Sequence, residues 1–296
     1  MKPTANQSVP APTLLVVGAG RLGAHVAALW QRRFPGGLVL AETRSSTRHP
    51  ELRAQGLVVR TIADEPPPPV SHLLFSVPPS EISDYRAATL RALSLWNREG
   101  RFLFVSSAAV YAEERGGDVH ENSAVVLNAR TERLLVAEAA VRDVRGMVMR
   151  LAGLYDHARG PHRVYFHTAE SSLRPDGLIN LIHYDDAANL CLAALTLGQP
   201  LTTYLGSDQA PLTRTDLVER TRTCGLFGPH ELGEPTRFTG QGGPLGKRLD
   251  GRWSRHELGQ TDLPLPFPKR LLSDPKASSK TPSERPGDLF RSSVLQ

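Results

Sequence analysis

No lysine occurs between Lys2 and Lys247 of this 296-residue chain. That absence excludes a P-loop from the stretch, because the motif needs its lysine on the phosphates. Any chemistry housed there must also do without a lysine from the same stretch. Cysteine is scarce too. Cys191 and Cys224 both fall in helix-like segments, offer no disulfide framework and fit a reducing compartment, read as the cytoplasm. No apolar run is long enough to span a membrane. Residues 1–12 lack both the apolar centre of a secretory signal and the arginines of a transit peptide, and they read as a flexible leader. No GxSxG elbow, HExxH or CxxC pair is present. His157, His162 and His167 recur at five-residue intervals without the fixed acids or cysteines of a metal site, so no metal is expected.

With 40% hydrophobic and 22% charged residues, the chain suits one large domain or two small ones. A formal charge of +5 and a pI near 9.5 would suit nucleic acid. The arginines are scattered, however, and no basic run is interleaved with aromatics. Helix faces and an anionic cofactor account for them, so the expected partner is a small molecule, without nucleic acid or membrane. The oligomeric state stays open.

The stretch Thr13-Leu-Leu-Val-Val-Gly-Ala-Gly-Arg-Leu-Gly23 organises the rest. An apolar, β-branched run meets glycines at 18, 20 and 23, and a helical pattern through Val26, Ala27, Leu29 and Trp30 follows at once. Gly18 permits a tight turn, Gly20 lets the backbone approach a pyrophosphate, and Gly23 lets helix pack closely on strand. Amides of the new helix, at Arg21 and Leu22, then point at the anion. Leu38 to Ala41 reads as a second strand, ending in Glu42-Thr43-Arg44-Ser45. An acid facing the adenosine ribose marks NAD, and a basic residue marks NADP. Glu42 argues for NAD, whereas Thr43 and Arg44 with Ser45 argue for NADP. NADP is the expectation, with NAD as the alternative.

Further strands are expected at 57–61, 71–77, 101–105 and 146–151. Four prolines, Pro66 to Pro69, stiffen one connector. Ser80 can cap a helix through Leu90, Leu93 and Trp96, and 127–144 is helical. Ser76 and Ser106 lie at strand ends that pass under a cofactor. Alternating strands and helices mean an α/β fold, a Rossmann doubly wound parallel sheet. Residues 13–150 form the dinucleotide-binding part, and 151–272 a C-terminal part with a smaller substrate lobe. That part holds strand-like runs at 178–183 and 202–205, and a helix over 216–224 capped near Thr213 or Thr215. Residues 273–296, rich in Ser, Pro and Lys, read as a disordered tail.

With these segments in view, the chain resembles the short-chain dehydrogenase/reductase superfamily, in particular atypical members similar to NAD-dependent epimerase/dehydratases. The resemblance spans 13–272. It rests on GAGRLG, on SSAAVY (106–111) and on RLAGLYDHARGP (150–161), with echoes in IHYDDAANLCLAAL (182–195) and GKRLDGRWSRHELG (246–259). It implies a tyrosine and, four residues on, a lysine in the helix after SSAAVY. There the lysine lowers the tyrosine's pKa, and the tyrosine exchanges a proton with the substrate oxygen. Aligned on Glu138, Arg130 takes the tyrosine's place and Leu134 the lysine's, so the usual dyad is absent. Ser107 matches the family's serine or threonine on the reacting oxygen, and Tyr111 stands in as a candidate acid, with His120, Glu121 and His183 next in line. Arg130 reads as a helix-surface residue or an electrostatic stabiliser. Asp185 and Asp186 read as an N-cap or first-turn acids. The expected function is an NADP-dependent reductase or epimerase-like protein acting on a small molecule. The alternative is an inactive NADP-binding sensor.

Overall fold

The computed structural model describes residues 12–228 and 231–273, so most of the expected leader and tail lies outside the described residues. In chain order the first half runs β1 (Leu14–Val17), α1 (Arg21–Arg33), β2 (Val39–Thr43), α2 (His49–Ala54), β3 (Val58–Thr61) and β4 (His72–Phe75). It continues with α3 (Tyr85–Ser94), β5 (Phe102–Ser107), β6 (Arg115–Val119), α4 (Glu132–Asp143) and β7 (Met147–Leu151). The second half runs β8 (Gly153–Tyr155), α5 (Pro161–Val164), β9 (Glu170–Ser171), β10 (Leu178–Ile179), β11 (Leu181–His183) and α6 (Tyr184–Leu197). After it come β12 (Thr203–Gly206), β13 (Leu212–Thr213), α7 (Arg214–Thr223), β14 (Arg237–Phe238), β15 (Gly246–Leu249), α8 (Arg252–Glu257) and α9 (Lys269–Leu272).

Seven strands form one parallel sheet in the order β12-β7-β5-β4-β1-β2-β3. The order reverses between β1 and β4, and ligands bind in such sheets outside the carboxyl ends at that switch point. β1 is buried throughout because both faces are covered, which is why it reads as an unbroken apolar run. Leu14 and Val16 face the layer of α1 and α6, while Leu15 and Val17 face the layer of α3 and α4. Leu22, Val26, Ala27 and Trp30 bury one stripe of α1 against that first layer. Among the described residues no helix is long and apolar enough to cross a membrane.

The doubly wound sheet is as expected, but packing does not divide at residue 150. β12 closes one edge of the sheet beside β7, and α6 buries Ala187, Leu190, Cys191 and Ala194 in the same core as α1. The smaller lobe has its own core of Tyr155, Tyr165, Leu181, Leu212, Leu217, Phe267 and Leu271. Capping differs in one place. Ser80 lies in a short turn, and Asp84 caps α3 by accepting the Ala87 amide at 2.8 Å. Thr213 caps α7 as expected, in a reciprocal box with Asp216.

The interior carries a charged knot. Glu138, fully buried on α4, accepts Arg150 through both carboxylate oxygens (3.0 and 2.7 Å), Arg142 at 2.7 Å and the Ser106 hydroxyl at 2.6 Å. Removing one partner of such a pair leaves a buried charge unmatched, at about 3–5 kcal/mol. Glu138→Ala is therefore expected to destabilise the protein by about that amount in urea unfolding; a loss under about 1 kcal/mol would contradict the reading.

Asp208 is a second buried acid. Its Oδ1 accepts the Ala210 amide at 3.1 Å, its Oδ2 has no partner, and burial pushes its pKa up from 3.8 to about 7. From about pH 4 to about pH 7 the unfolded chain releases a proton that the folded chain keeps, so stability falls as pH rises through that window. Below pH 4 both states are protonated and the effect vanishes. Asp208→Asn, which cannot ionise, should flatten this fall. Its melting temperature relative to the unmutated protein should rise by several degrees between pH 4 and pH 8, and parallel profiles would count against the assignment.

Candidate functional site

The glycine turn sits at the switch point. Gly18 has φ +88°, a left-handed backbone, and its amide and that of Ala19 donate to the Glu42 carbonyl, each at 3.0 Å. A Cβ on Gly18 would lie 2.6 Å from Val77 Cγ2, and one on Gly23 would lie 2.5 Å from the Gly18 carbonyl oxygen. Both glycines are therefore demanded by packing. Gly20 is different: a Cβ there meets no atom nearer than the Gly18 oxygen at 4.0 Å. The room it leaves faces outward, ahead of an α1 N-terminus with no side-chain cap and no first-turn acid. Open amides, a helix dipole and space for an anion fit a pyrophosphate.

Around the turn, Ser76 donates to the Gly18 carbonyl at 2.8 Å and so braces the loop from beneath. Leu22 is a core residue, leaving its amide alone to face the site. Arg21 reaches across to Asp156, Nη1 to Oδ2 at 2.5 Å, and one helical turn on, His25 pairs with Asp185 at 3.0 Å. Ser106 departs from expectation. Strand alternation turns it into the α4 layer, where it serves Glu138.

At the carboxyl end of β2, Glu42 is 1% exposed and held by Arg60 (3.1 Å) and Arg91 (2.7 and 2.9 Å). Its alternation in β2 turns it into the α3 layer, where both carboxylate oxygens are taken by arginines. The Thr43 hydroxyl lies 2.8 Å from His49 Nε2 and donates to the Ser45 carbonyl, also at 2.8 Å. Arg44 pairs with Glu81 at 2.9 Å across the β2 and β4 loops, with most of its side chain exposed. Arg48, which sequence reasoning missed, donates to the Ala19 carbonyl in the glycine turn at 3.1 Å and pairs with Glu51 at 2.9 Å.

The other end of the site lies at the close of β5. Ser107 is half-buried and its Oγ accepts the Ala109 amide at 3.2 Å, on the opposite face from Ser106. Tyr111 does not suit the role of acid expected for it. It is 1% exposed, its hydroxyl donates inward to the Glu121 carbonyl at 3.2 Å, and its ring lies 4.8 Å from the Arg150 guanidinium carbon. Burial raises its pKa, so it holds its proton more tightly. Glu121 is likewise spoken for, accepting the Ser254 hydroxyl at 2.5 Å and its amide at 3.1 Å. Arg130 is exposed ahead of α4, and Leu134 is buried in that helix's core face. Lys247, half-buried on β15, donates to the Tyr111 carbonyl.

Of the loop histidines, His162 is structural. His162 is fully buried among Tyr155, Phe227 and Phe267, and burial lowers its pKa to about 3. Among the described residues no three of His, Cys, Asp or Glu gather as a metal site. His183, not an acid, caps α6 by accepting the Asp185 amide at 3.2 Å, and Asp185 and Asp186 are first-turn acids. His25 heads the causes that hold Asp185 down, at about 2. A cavity of about 570 Å³ beside Arg142, Arg150, Thr203 and Trp253 includes, of the candidate site residues read from the sequence, Glu121 alone.

These contacts separate the glycines experimentally. Gly20→Val should fold with a near-normal melting temperature yet lose dinucleotide binding at least about tenfold, since only the anion's room is filled. Gly23→Val should lose stability as well. Unchanged binding by a folded Gly20→Val protein would rule out this turn as the cradle.

No family model and no curated protein sequence matches the chain. Solved structures do. A conserved protein of unknown function from Silicibacter pomeroyi is 24% identical with a TM-score of 0.68, covering 88% of this chain and 96% of that one. A dTDP-glucose 4,6-dehydratase from Streptomyces venezuelae, solved with NAD and TYD bound, is 18% identical with a TM-score of 0.66, covering 88% and 94%. A nucleoside-diphosphate-sugar epimerase from Pseudomonas aeruginosa is 18% identical with a TM-score of 0.63, covering 88% and 95%. At such identities the likeness speaks for architecture: this chain has the Rossmann α/β fold of the epimerase/dehydratase proteins.

Proposed function

We propose that this chain binds a nicotinamide dinucleotide across the carboxyl ends of β1, β2, β4 and β5 and acts on a small molecule as a reductase or epimerase-like enzyme. One observation carries the reading: of the three turn glycines, two are packed and Gly20 alone keeps open room before uncapped helix amides. The amides at 20–23 would hold the pyrophosphate, with Arg21 poised beside them and Ser76 bracing the turn. Bound there, the cofactor supplies or accepts a hydride. Ser107 would orient the substrate's oxygen from the end of β5. Its hydroxyl, with a high pKa, is a poor proton source by itself.

The proposed cofactor is NADP. Glu42 is neutralised inside the sheet layer, whereas Thr43, Arg44, Ser45 and Arg48 surround the ribose end with hydroxyls and guanidinium groups. Such groups suit a phosphate dianion. Against this stand similar structures solved with NAD, the Streptomyces dehydratase among them. The buried Tyr111 and the Arg130 and Leu134 replacements favour a second reading, a dinucleotide-binding sensor without turnover.

Titration with both cofactors, followed by a hydride-transfer screen over carbonyl and sugar-nucleotide substrates, separates these readings. NADP should bind more tightly than NAD. Arg44→Ala and Arg48→Ala should each weaken NADP by about tenfold to a hundredfold, a charge-assisted contact of roughly 1.5–3 kcal/mol, and largely spare NAD. Equal losses for both cofactors, or tighter binding of NAD, would refute the NADP assignment. Tight binding without hydride transfer would favour the sensor.

A further inference from the structure

β15 lies parallel to β6, the strand that follows the Ser107 turn. Its register there is built from two sides. The Leu245 and Gly246 amides donate to the Glu114 carbonyl at 2.7 and 3.1 Å. Asn180 brackets Lys247, donating through Nδ2 to the Lys247 carbonyl at 2.8 Å and accepting the Leu249 amide through Oδ1 at 2.9 Å. The half-buried ammonium group is thereby delivered to the Tyr111 carbonyl, at the far end of the turn that opens with Ser107.

That contact uses one of three N–H donors. Neither neighbouring carboxylate forms a hydrogen bond to it: Glu113 accepts the Arg115 and Gly117 amides at 2.6 and 3.1 Å, and Glu114 acts only through space. An ammonium group partly withdrawn from water without an ion pair is unfavourable unless something else occupies its donors. Such groups cluster at functional sites.

We propose that Lys247 holds and protonates the reacting oxygen of the substrate, working beside Ser107. This rests on the dinucleotide reading above. As hydride from the reduced nicotinamide forms the new C–H bond, the carbonyl π pair moves onto oxygen. One Lys247 N–H bond breaks, an O–H bond forms, and water reprotonates the amine. Burial lowers the Lys247 pKa, Glu114 and Glu113 raise it, and the Arg130 guanidinium lowers it again; the net direction is down, toward that of a usable acid.

The test uses the full-length protein and trace acetic anhydride across pH 6 to 11, with each lysine's acetylation read by mass spectrometry. Lys247 should titrate at lower pH than Lys269, and saturating NADPH should slow its acetylation by about fivefold or more without affecting Lys269. Lys247→Met and Lys247→Arg should both keep dinucleotide affinity within about twofold and both lose at least about tenfold in carbonyl reduction, because a guanidinium does not release its proton. If NADPH and NADH fail to bind the unmutated protein, the dinucleotide reading itself has failed. If they bind while Lys247 titrates with Lys269, stays unprotected, or is rescued by arginine, Lys247 is a structural clamp and the proposal is overturned.

Discussion

One carboxylate, that of Glu138, ties a helix and two strands of this structure together. It is fully buried, and every group that meets it is a donor: Arg150 from β7, Arg142 from its own helix and Ser106 from β5. Helix α4 and two central strands are thereby fixed to one another. From there the connection runs outward. Arg150 lies over the Tyr111 ring, the Tyr111 hydroxyl meets the Glu121 backbone, and the Glu121 carboxylate takes Ser254 of α8. The turn holding Ser107 is suspended between these points, so its shape depends on a charge balance set inside the protein. A buried ionic knot of this kind is weak evidence for net stability. Its value here is geometric.

Much of the fold is legible in the sequence because its determinants are local. The apolar runs of β1, β4, β5 and β7 are buried on both faces, and the Gly18–Gly23 turn announces itself through steric needs that glycine alone meets. The Thr213 cap and its Asp216 partner are three residues apart and equally readable. What the sequence conceals is set by distant partners. Glu42 looks like a ribose acid until Arg60 and Arg91 arrive from β3 and α3. Tyr111 looks available until packing turns its hydroxyl toward Glu121. Period-two alternation across Ser106 and Ser107 could have separated the two: one side chain must face α4, and the other must not. No local signal foretells that β15 pairs with β6 and brings Lys247 to the Tyr111 carbonyl.

The rim beyond β2 shows how cations can be paired without being sealed from water. Arg44 and Arg48 each have an acidic companion, Glu81 and Glu51, and both pairs are substantially exposed. Exposed pairs of this sort are worth little, typically less than about 1 kcal/mol. They hold the guanidinium groups near the loops without committing them, in contrast to Arg60 and Arg91, whose carboxylate is sealed from water.

The Arg21–Asp156 contact has a consequence of a different kind. Asp156 also accepts the Ala158 and Arg159 amides, each at 2.9 Å, so the carboxylate that aims Arg21 is itself immobilised by backbone. A free arginine on a helix's first turn samples many rotamers, and freezing it upon ligand capture forfeits about 0.5–1.5 kcal/mol. Here that ordering is completed when the chain folds, and most of the guanidinium's five N–H donors remain uncommitted. An anion reaching the turn meets a cation already in position, so its affinity is not diminished by the entropy of arranging one.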